Sequence, residues 1–492
     1  MRWNLNRMIL AGCVLLAAGP LRAASPAGKL PVVQSPNFAA AADAVPVGSH
    51  LRLENVQVSD GQGPEALVLE RFQVFASDAR IVVHGSGRDR VLHAPANAYF
   101  RGTVDGKPES RAFLAKLEDG TTQGMVSDSG AFYLIGGDPA QAKSLNVPIE
   151  MHRVDPVLLK SGRNETFSCA NDKLPPTPGA IPNLDLSAIS SAPAGKAAVA
   201  AHTARVALES DFEFYQLFND TTTATNYVGN LIGYASTIYT AELNTSLVVQ
   251  SLSLWSTSGD PWTQTSTQCG LLEFGKYWNQ NKTNVSRTIA HFLSGKASGG
   301  GIAWLNALCH GSFTTGSASC PGLGSETTPW GGDYGFTGNL FGSFNIVSPT
   351  VVWDILSVAH EIGHNFGSPH THCYGGIGGN SSPIDQCYGT ESGSGCYSGT
   401  PTLPGPAGVG SGTIMSYCHL RSGNYSNITL TFGTGFAYGV HPEREAALMN
   451  SYISSVASSN PSCLAPVAGV AGIFNDSFEG GAVPGPWSGK TP

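Results

Sequence analysis

Charge is scarce in this sequence. Asp, Glu, Lys and Arg make up 13% of its 492 residues while hydrophobic residues make up 41%, and a typical soluble domain carries about twice that charge. Disorder driven by charge is therefore excluded for most of the chain. Basic residues are the scarcer sign: 27 Lys and Arg against 35 Asp and Glu give a net charge of −8. That balance excludes a basic nucleic-acid binder. Long apolar runs are missing too. The run Met8–Ala18 is too short to span a bilayer as a permanent helix, and no later stretch approaches that length. No stable membrane insertion is expected.

The charge present is unevenly spread. From His202 onward there are 8 basic and 17 acidic residues, whereas the first 201 residues hold 19 and 18. Two halves with different electrostatics imply two units with different roles. Arg2 and Arg7 before Met8–Ala18, with small residues around Ala23 and Ala24, predict an export signal over residues 1–24. Leu10-Ala11-Gly12-Cys13 also has the look of a lipobox, the alternative being a lipid anchor on Cys13. Too few apolar residues precede that cysteine, so ordinary cleavage and a secreted product are expected. Of ten cysteines, Cys13 leaves with the signal and Cys169 stands alone in the first half. The other eight, Cys269, Cys309, Cys320, Cys373, Cys387, Cys396, Cys418 and Cys463, suggest up to four disulfides of open connectivity.

Residues 25–174 read as a β-rich unit, with Leu67–Leu69, Phe72–Phe75 and Ala79–Val83 as strands and turns at Gly85-Ser86-Gly87 and Asp105-Gly106. Residues 175–203, dense in Pro, Ala, Gly and Ser, read as a linker open to proteolysis. From 204 to 465 the pattern alternates α and β: Val206–Phe218 as strand, Asn226–Leu243 as helix, Leu247–Trp255 as strand, Gly270–Trp278 as helix and Gly301–Leu308 as a short strand. Residues 466–492 are Gly/Pro-rich and read as a flexible tail. The expected class is α/β.

Residues 360–370 read HEIGHNFGSPH. Ser348 as N-cap, Pro349 in the first turn, and Val352, Ile355, Ala359, Ile362 and Phe366 at three- and four-residue spacing predict a helix leading into it. On that helix His360 and His364 share a face, so both imidazoles reach one zinc ion. Glu361 projects beside them as general base for a zinc-bound water. Gly367 ends the helix in a left-handed conformation, and the chain turns back to offer His370 as third ligand. Three protein ligands leave a fourth position open, as catalysis requires. His372 is a competing ligand by type, but His370 already fits the spacing.

With this motif and the downstream Thr413-Ile414-Met415-Ser416-Tyr417, the chain resembles the metzincin metallopeptidases, whose Met-turn places a methionine, here Met415, beneath the zinc ligands. Tyr417 matches the astacin and serralysin version of that turn, where the tyrosine approaches the metal; here it is either an oxyanion stabiliser or an ordinary buried tyrosine. The wider chain is most similar to the reprolysin (adamalysin) branch: Tyr227–Trp255 to its first helix and second strand, Gly301-Ile302-Ala303-Trp304-Leu305 to its cleft-lining edge strand, and Tyr99–Met125 to its pro-peptide. Two departures stand out. Thr371 follows the third His where reprolysins usually have Asp, and no disintegrin-like cysteine array follows Cys463. Pappalysin-like metzincins are the nearest alternative.

The resemblance implies a metzincin-type catalytic domain over 204–465: a mixed twisted sheet with an active-site helix and a C-terminal subdomain after the third His, preceded by a β-rich prodomain. It implies a monomeric zymogen of a zinc endopeptidase acting on proteins or peptides, with one catalytic zinc. The rival from another class is a non-catalytic module that keeps the metal for structure, and an intact Glu361 argues against it. Gly301–Leu305 is expected to bind extended substrate by strand addition, the alternative being an internal strand. Cys169 is either a spare thiol on a discarded segment or, as the resemblance implies, a latency switch filling the fourth zinc position.

Overall fold

The computed structural model describes residues 30–467 apart from 62, 137–147, 157, 159–167, 179–199, 317–318 and 346–347. The expected signal, most of the expected linker and the tail beyond 467 lie outside those residues.

The N-terminal strands are β1 (Val32–Gln34), β2 (His50–Val58), β3 (Glu65–Phe72), β4 (Phe75–His84), β5 (Arg90–Leu92), β6 (Ala98–Val104), β7 (Lys107–Lys116), β8 (Thr122–Asp128), β9 (Ala131–Ile135) and β10 (Glu150–Arg153). Eight of them form one sheet in the order β1-β2-β10-β9-β8-β7-β6-β3, and β2 also pairs with β3. That last pairing closes the seven strands from β2 to β3 on themselves, with β1 flanking β2 outside the ring. Leu51, Leu53, Leu67, Leu69, Phe100, Leu114 and Val126 fill the inside. The expected strand at Phe72–Phe75 is broken instead, because Gln73 and Val74 carry the chain out of the closed sheet before β4 begins.

The remaining strands are β11 (Ser168–Cys169), β12 (His202–Ser210), β13 (Thr245–Trp255), β14 (Ile289–Leu293), β15 (Gly300–Ala303), β16 (Tyr334–Thr337) and β17 (Ala465–Pro466). The second sheet runs β11-β15-β16-β14-β12-β13-β4-β5, with β17 on β12. It is mixed: β4, β13, β12, β14 and β16 are mutually parallel, and β15 is antiparallel to β16. The β-rich half is therefore not a separate body, since β4 and β5 belong to the sheet of the C-terminal half. The expected strand Val206–Phe218 stops at Ser210, where Asp211 accepts from the Phe214 N–H and starts a short helix, Phe212–Gln216. Gly301–Leu308 likewise shortens to β15. The Trp304 N–H donates to the Tyr334 carbonyl, and the chain then turns away through Asn306, at φ +56°.

Four longer helices pack on this sheet: α1 (Thr221–Leu243), α2 (Thr267–Asn281), α3 (Val351–Asn365) and α4 (Arg444–Ser459). Asp220 caps α1 by accepting from the Thr223 N–H, and Asn244 ends it in the left-handed conformation. The N-cap of α3 is Thr350 rather than the expected Ser348, with Pro349 just outside the helix. No helix among the described residues is long and apolar enough to cross a membrane. All eight cysteines of the C-terminal half pair, as Cys269–Cys320, Cys309–Cys463, Cys373–Cys396 and Cys387–Cys418. Cys169 is a free, buried thiol.

One buried acid couples this fold to pH. Glu209 of β12 accepts from the indole N–H groups of Trp255 (2.8 Å) and Trp278 (3.1 Å). Burial raises its pKa from 4.5 to about 7. The folded chain thus holds this proton more tightly than the unfolded chain, so the contribution is complete below 4.5 and is lost as pH rises to about 7. Relative to Glu209→Gln, the wild type should lose up to about 3 kcal/mol over that window. Urea melts of both proteins across it check this; a difference that does not change with pH would refute it.

Candidate metal centre

The central helix α3 is buried along its whole length. Asp354 in its first turn anchors it, accepting from the Phe341 and Gly342 N–H groups and from the Tyr227 hydroxyl (2.6 Å). At its other end, Asn306 and Ala307 donate to the His364 and Asn365 carbonyls. The Asn365 side chain ties the last turn to the carbonyls of Trp304 and Tyr334. Gly367 then takes φ +102°, as expected, and the chain reverses toward His370.

Each of the three histidines is oriented through Nδ1. His360 Nδ1 bonds the Ile414 carbonyl at 2.8 Å, His364 Nδ1 the Ser368 carbonyl at 2.7 Å, and His370 Nδ1 the Glu391 carboxylate at 2.7 Å. A donor Nδ1–H leaves Nε2 as the bare lone pair, the form a metal takes. Burial lowers the pKa of all three, His364 to about 3, so the imidazoles stay neutral. Donor atoms of His360, His364, His370 and Cys169 all lie within 4.8 Å of one another. His370 Nε2 and Glu361 Oε1 are buried with no hydrogen-bond partner among the described residues. Three neutral imidazoles and a sulfur suit zinc.

Glu361 lies against β15. A Cβ on Gly301 would come within 2.3 Å of its carboxylate, so glycine leaves the room this side chain occupies. Burial pushes the Glu361 carboxyl well above the usual carboxylate range. Met415 is fully buried, and a Cβ on Gly363 would meet its sulfur at 2.6 Å. The Thr371 N–H donates to the Met415 carbonyl at 3.1 Å, so the turn at Met415 holds the residue that follows the third histidine. The Thr371 hydroxyl donates to Asp385, which brings a carboxylate here from elsewhere in the chain.

Cys169 sits inside this site. Its sulfur lies 3.3 Å from His364 Nε2 and 3.4 Å from Glu361 Oε2. The Tyr417 hydroxyl accepts from the Cys169 N–H (2.9 Å) and donates to the Cys169 carbonyl (2.6 Å). Ser168 and Ala170 donate to the Gly299 and Gly301 carbonyls, so β11 extends the sheet alongside β15 in parallel. On the other side of β15, Gly338 donates to the Gly300 carbonyl. By the alternation of a strand, the backbone groups of Ala303 face the same side as those of Gly301. Gly301, Ile302 and Ala303 are thus in the strand expected at the cleft, whereas Trp304 and Leu305 lie past its end.

Sequence spacing did not reveal Glu391. Its carboxylate bonds both His370 Nδ1 and His372 Nε2, each at 2.7 Å, which places His372 beside the centre rather than in it. The only signal was the cysteines around it, whose two disulfides, Cys373–Cys396 and Cys387–Cys418, brace its loop.

Residues 200–429 match the model of Reprolysin_5, metallo-peptidase family M12. The match supports a metallopeptidase. No curated protein matches the chain. Among solved structures it is similar to metalloproteinase-II from Bacteroides fragilis, at 12% identity and a TM-score of 0.36, over 70% of this chain and 90% of that one. A likeness that loose bears on neither fold nor chemistry.

Replacing Glu391 with Ala should free the His370 ring and lower zinc affinity by about 10–100-fold. Competition titration against a chromophoric chelator measures this, and wild-type affinity in the folded variant would show that the carboxylate does not position the ligand.

Proposed function

We propose that this chain is a secreted, zinc-dependent endopeptidase made as a latent precursor. The observation that carries the reading is the set of three imidazoles turned through Nδ1 toward one point, with Glu361 beside it. His360, His364 and His370 would hold the metal. Zinc bound there supplies a Lewis acid and lowers the pKa of the attacking water. Glu361, ionised once β11 no longer buries it, takes that water's proton and passes it to the leaving amine. The β15 edge, through the backbone of Gly301 and Ala303, holds the substrate extended.

In the latent form Cys169 would serve as a further ligand to that metal, and β11 covers the substrate edge. Tyr417 clasps the Cys169 peptide there; once β11 is gone, its hydroxyl is free to stabilise the oxyanion of the tetrahedral intermediate. Four disulfides and the leader over residues 1–24 support an exported, oxidised protein. The reprolysin-type match over 200–429 favours that branch of the metzincins over the pappalysin-like and serralysin-like alternatives.

The test is digestion of denatured casein by full precursor, uncut and after cutting in residues 179–199. Uncut wild type should be silent and uncut Cys169→Ser active, with activity abolished by a chelator. Glu361→Ala should retain zinc and lose about 10²–10⁴-fold in kcat. Zinc retained with no cleavage by any form would favour a structural metal module, and equal silence of both uncut forms would refute the thiol switch.

Ala303→Pro removes an N–H from the substrate side of β15 while leaving its bonds to β16 in place. It should raise KM or lower kcat/KM at least several-fold with zinc still bound. Unchanged peptide kinetics would take the substrate off this strand.

A further inference from the structure

We infer that the N-terminal half is a permanent partner of the catalytic half, retained without a covalent link after the linker is cut. Release of latency is then confined to β11. The inference rests on the proposed peptidase reading only for what latency means; the association itself stands on packing.

The two halves share a sheet. β4 pairs in parallel with β13 through Phe75 and the run Arg80–His84, and β5 covers its outer side. Departure of the N-terminal half would bare the edge of β13, eleven residues long and buried over most of its length. A long apolar edge of that kind templates aggregation. β7 makes the same point from the other side. Ala112 and Leu114 point into the closed sheet, while Phe113 and Ala115 point outward into the core around α1. Tyr99, Met125, Phe132 and Leu134 join that outward face. The N-terminal half would leave with this apolar surface exposed.

Helix α1 is made to be covered. Eighteen of its 23 residues are buried. A Cβ on Gly229 would meet the Tyr99 hydroxyl at 2.5 Å, and one on Gly233 would meet the Phe113 ring at 2.4 Å. Glycine inside a helix costs about 1 kcal/mol against alanine; here it lets the N-terminal strands approach closely. The polar residues of α1 also pair across the boundary. Asn226 accepts from Asn97, Asn230 donates to Gln123 and Tyr234 donates to Ser127. Arg101 donates to Thr240 and Ser246, and Arg111 reaches Glu242 at 3.5 Å. Both arginines are buried, so separation breaks buried charged contacts as well as apolar ones. By contrast, β11 is two residues long and is held by a few backbone bonds, one tyrosine and one thiol.

The test inserts a site-specific protease sequence within residues 179–199 of the full chain, cuts it, and follows both fragments by native mass spectrometry and gel filtration at low micromolar concentration. Retention predicts one species with the mass of the intact chain, carrying both fragments in equal amounts and parting only in denaturant. Elution of the C-terminal fragment without the N-terminal one, whether folded or aggregated, would overturn the inference. The readout needs no activity: a co-eluting pair whose Cys169→Ser form also leaves casein intact would sink the peptidase reading and leave this one standing.

Discussion

Three hydrogen bonds from imidazole Nδ1 atoms govern what this site can do. Each fixes a tautomer and a ring direction, and they come from three unlike acceptors: the carbonyl before Met415, the carbonyl of Ser368, and the carboxylate of Glu391. The rest of the C-terminal half can be read as support for them. The turn at Met415 packs on Gly363 and offers the Ile414 carbonyl. The reversal at Gly367 brings Ser368 under His364, and the loop between Cys387 and Cys396 delivers Glu391. A site with the same histidines but without those acceptors would have rings free to rotate and a weaker hold on any metal.

The motif at 360–370 and its helix were legible in the sequence because histidines that share a helix face have a fixed spacing, and so was the turn at 367, where a φ of +102° favours glycine. Long elements such as α1 and β13 were legible from periodicity. What was not legible depends on contacts between residues distant in the chain. Glu391 and Asp385 reach the centre through loops whose course is set by disulfides rather than by any repeat. The break at Gln73-Val74 is a change of sheet, which no local pattern announces. The N-terminal half was expected as a separate body because its composition and charge differ from the rest, yet composition carries no record of which sheet a strand joins.

That strand exchange changes how the chain's halves relate. The segment from β1 to β10 is a closed sheet with an apolar outer face, and the hairpin β4–β5 leaves it to complete another sheet. Cover and support are thereby separated: Cys169 and β11 lie against His364 and Glu361, whereas the strands before them complete the core on which α1 and α3 rest.

The bracing of Glu391 also ties the centre to its redox surroundings. Cys373–Cys396 and Cys387–Cys418 form only under oxidising conditions, and in a reducing cytosol the loop between them is held by weaker contacts alone. The third histidine then lacks a firm partner even before the thiol of Cys169 is considered. On the reading proposed above, newly made chain inside a cell would be restrained twice, once by occlusion and once by incomplete assembly of the ligand set, and export into an oxidising space would relieve the second restraint while leaving the first in force.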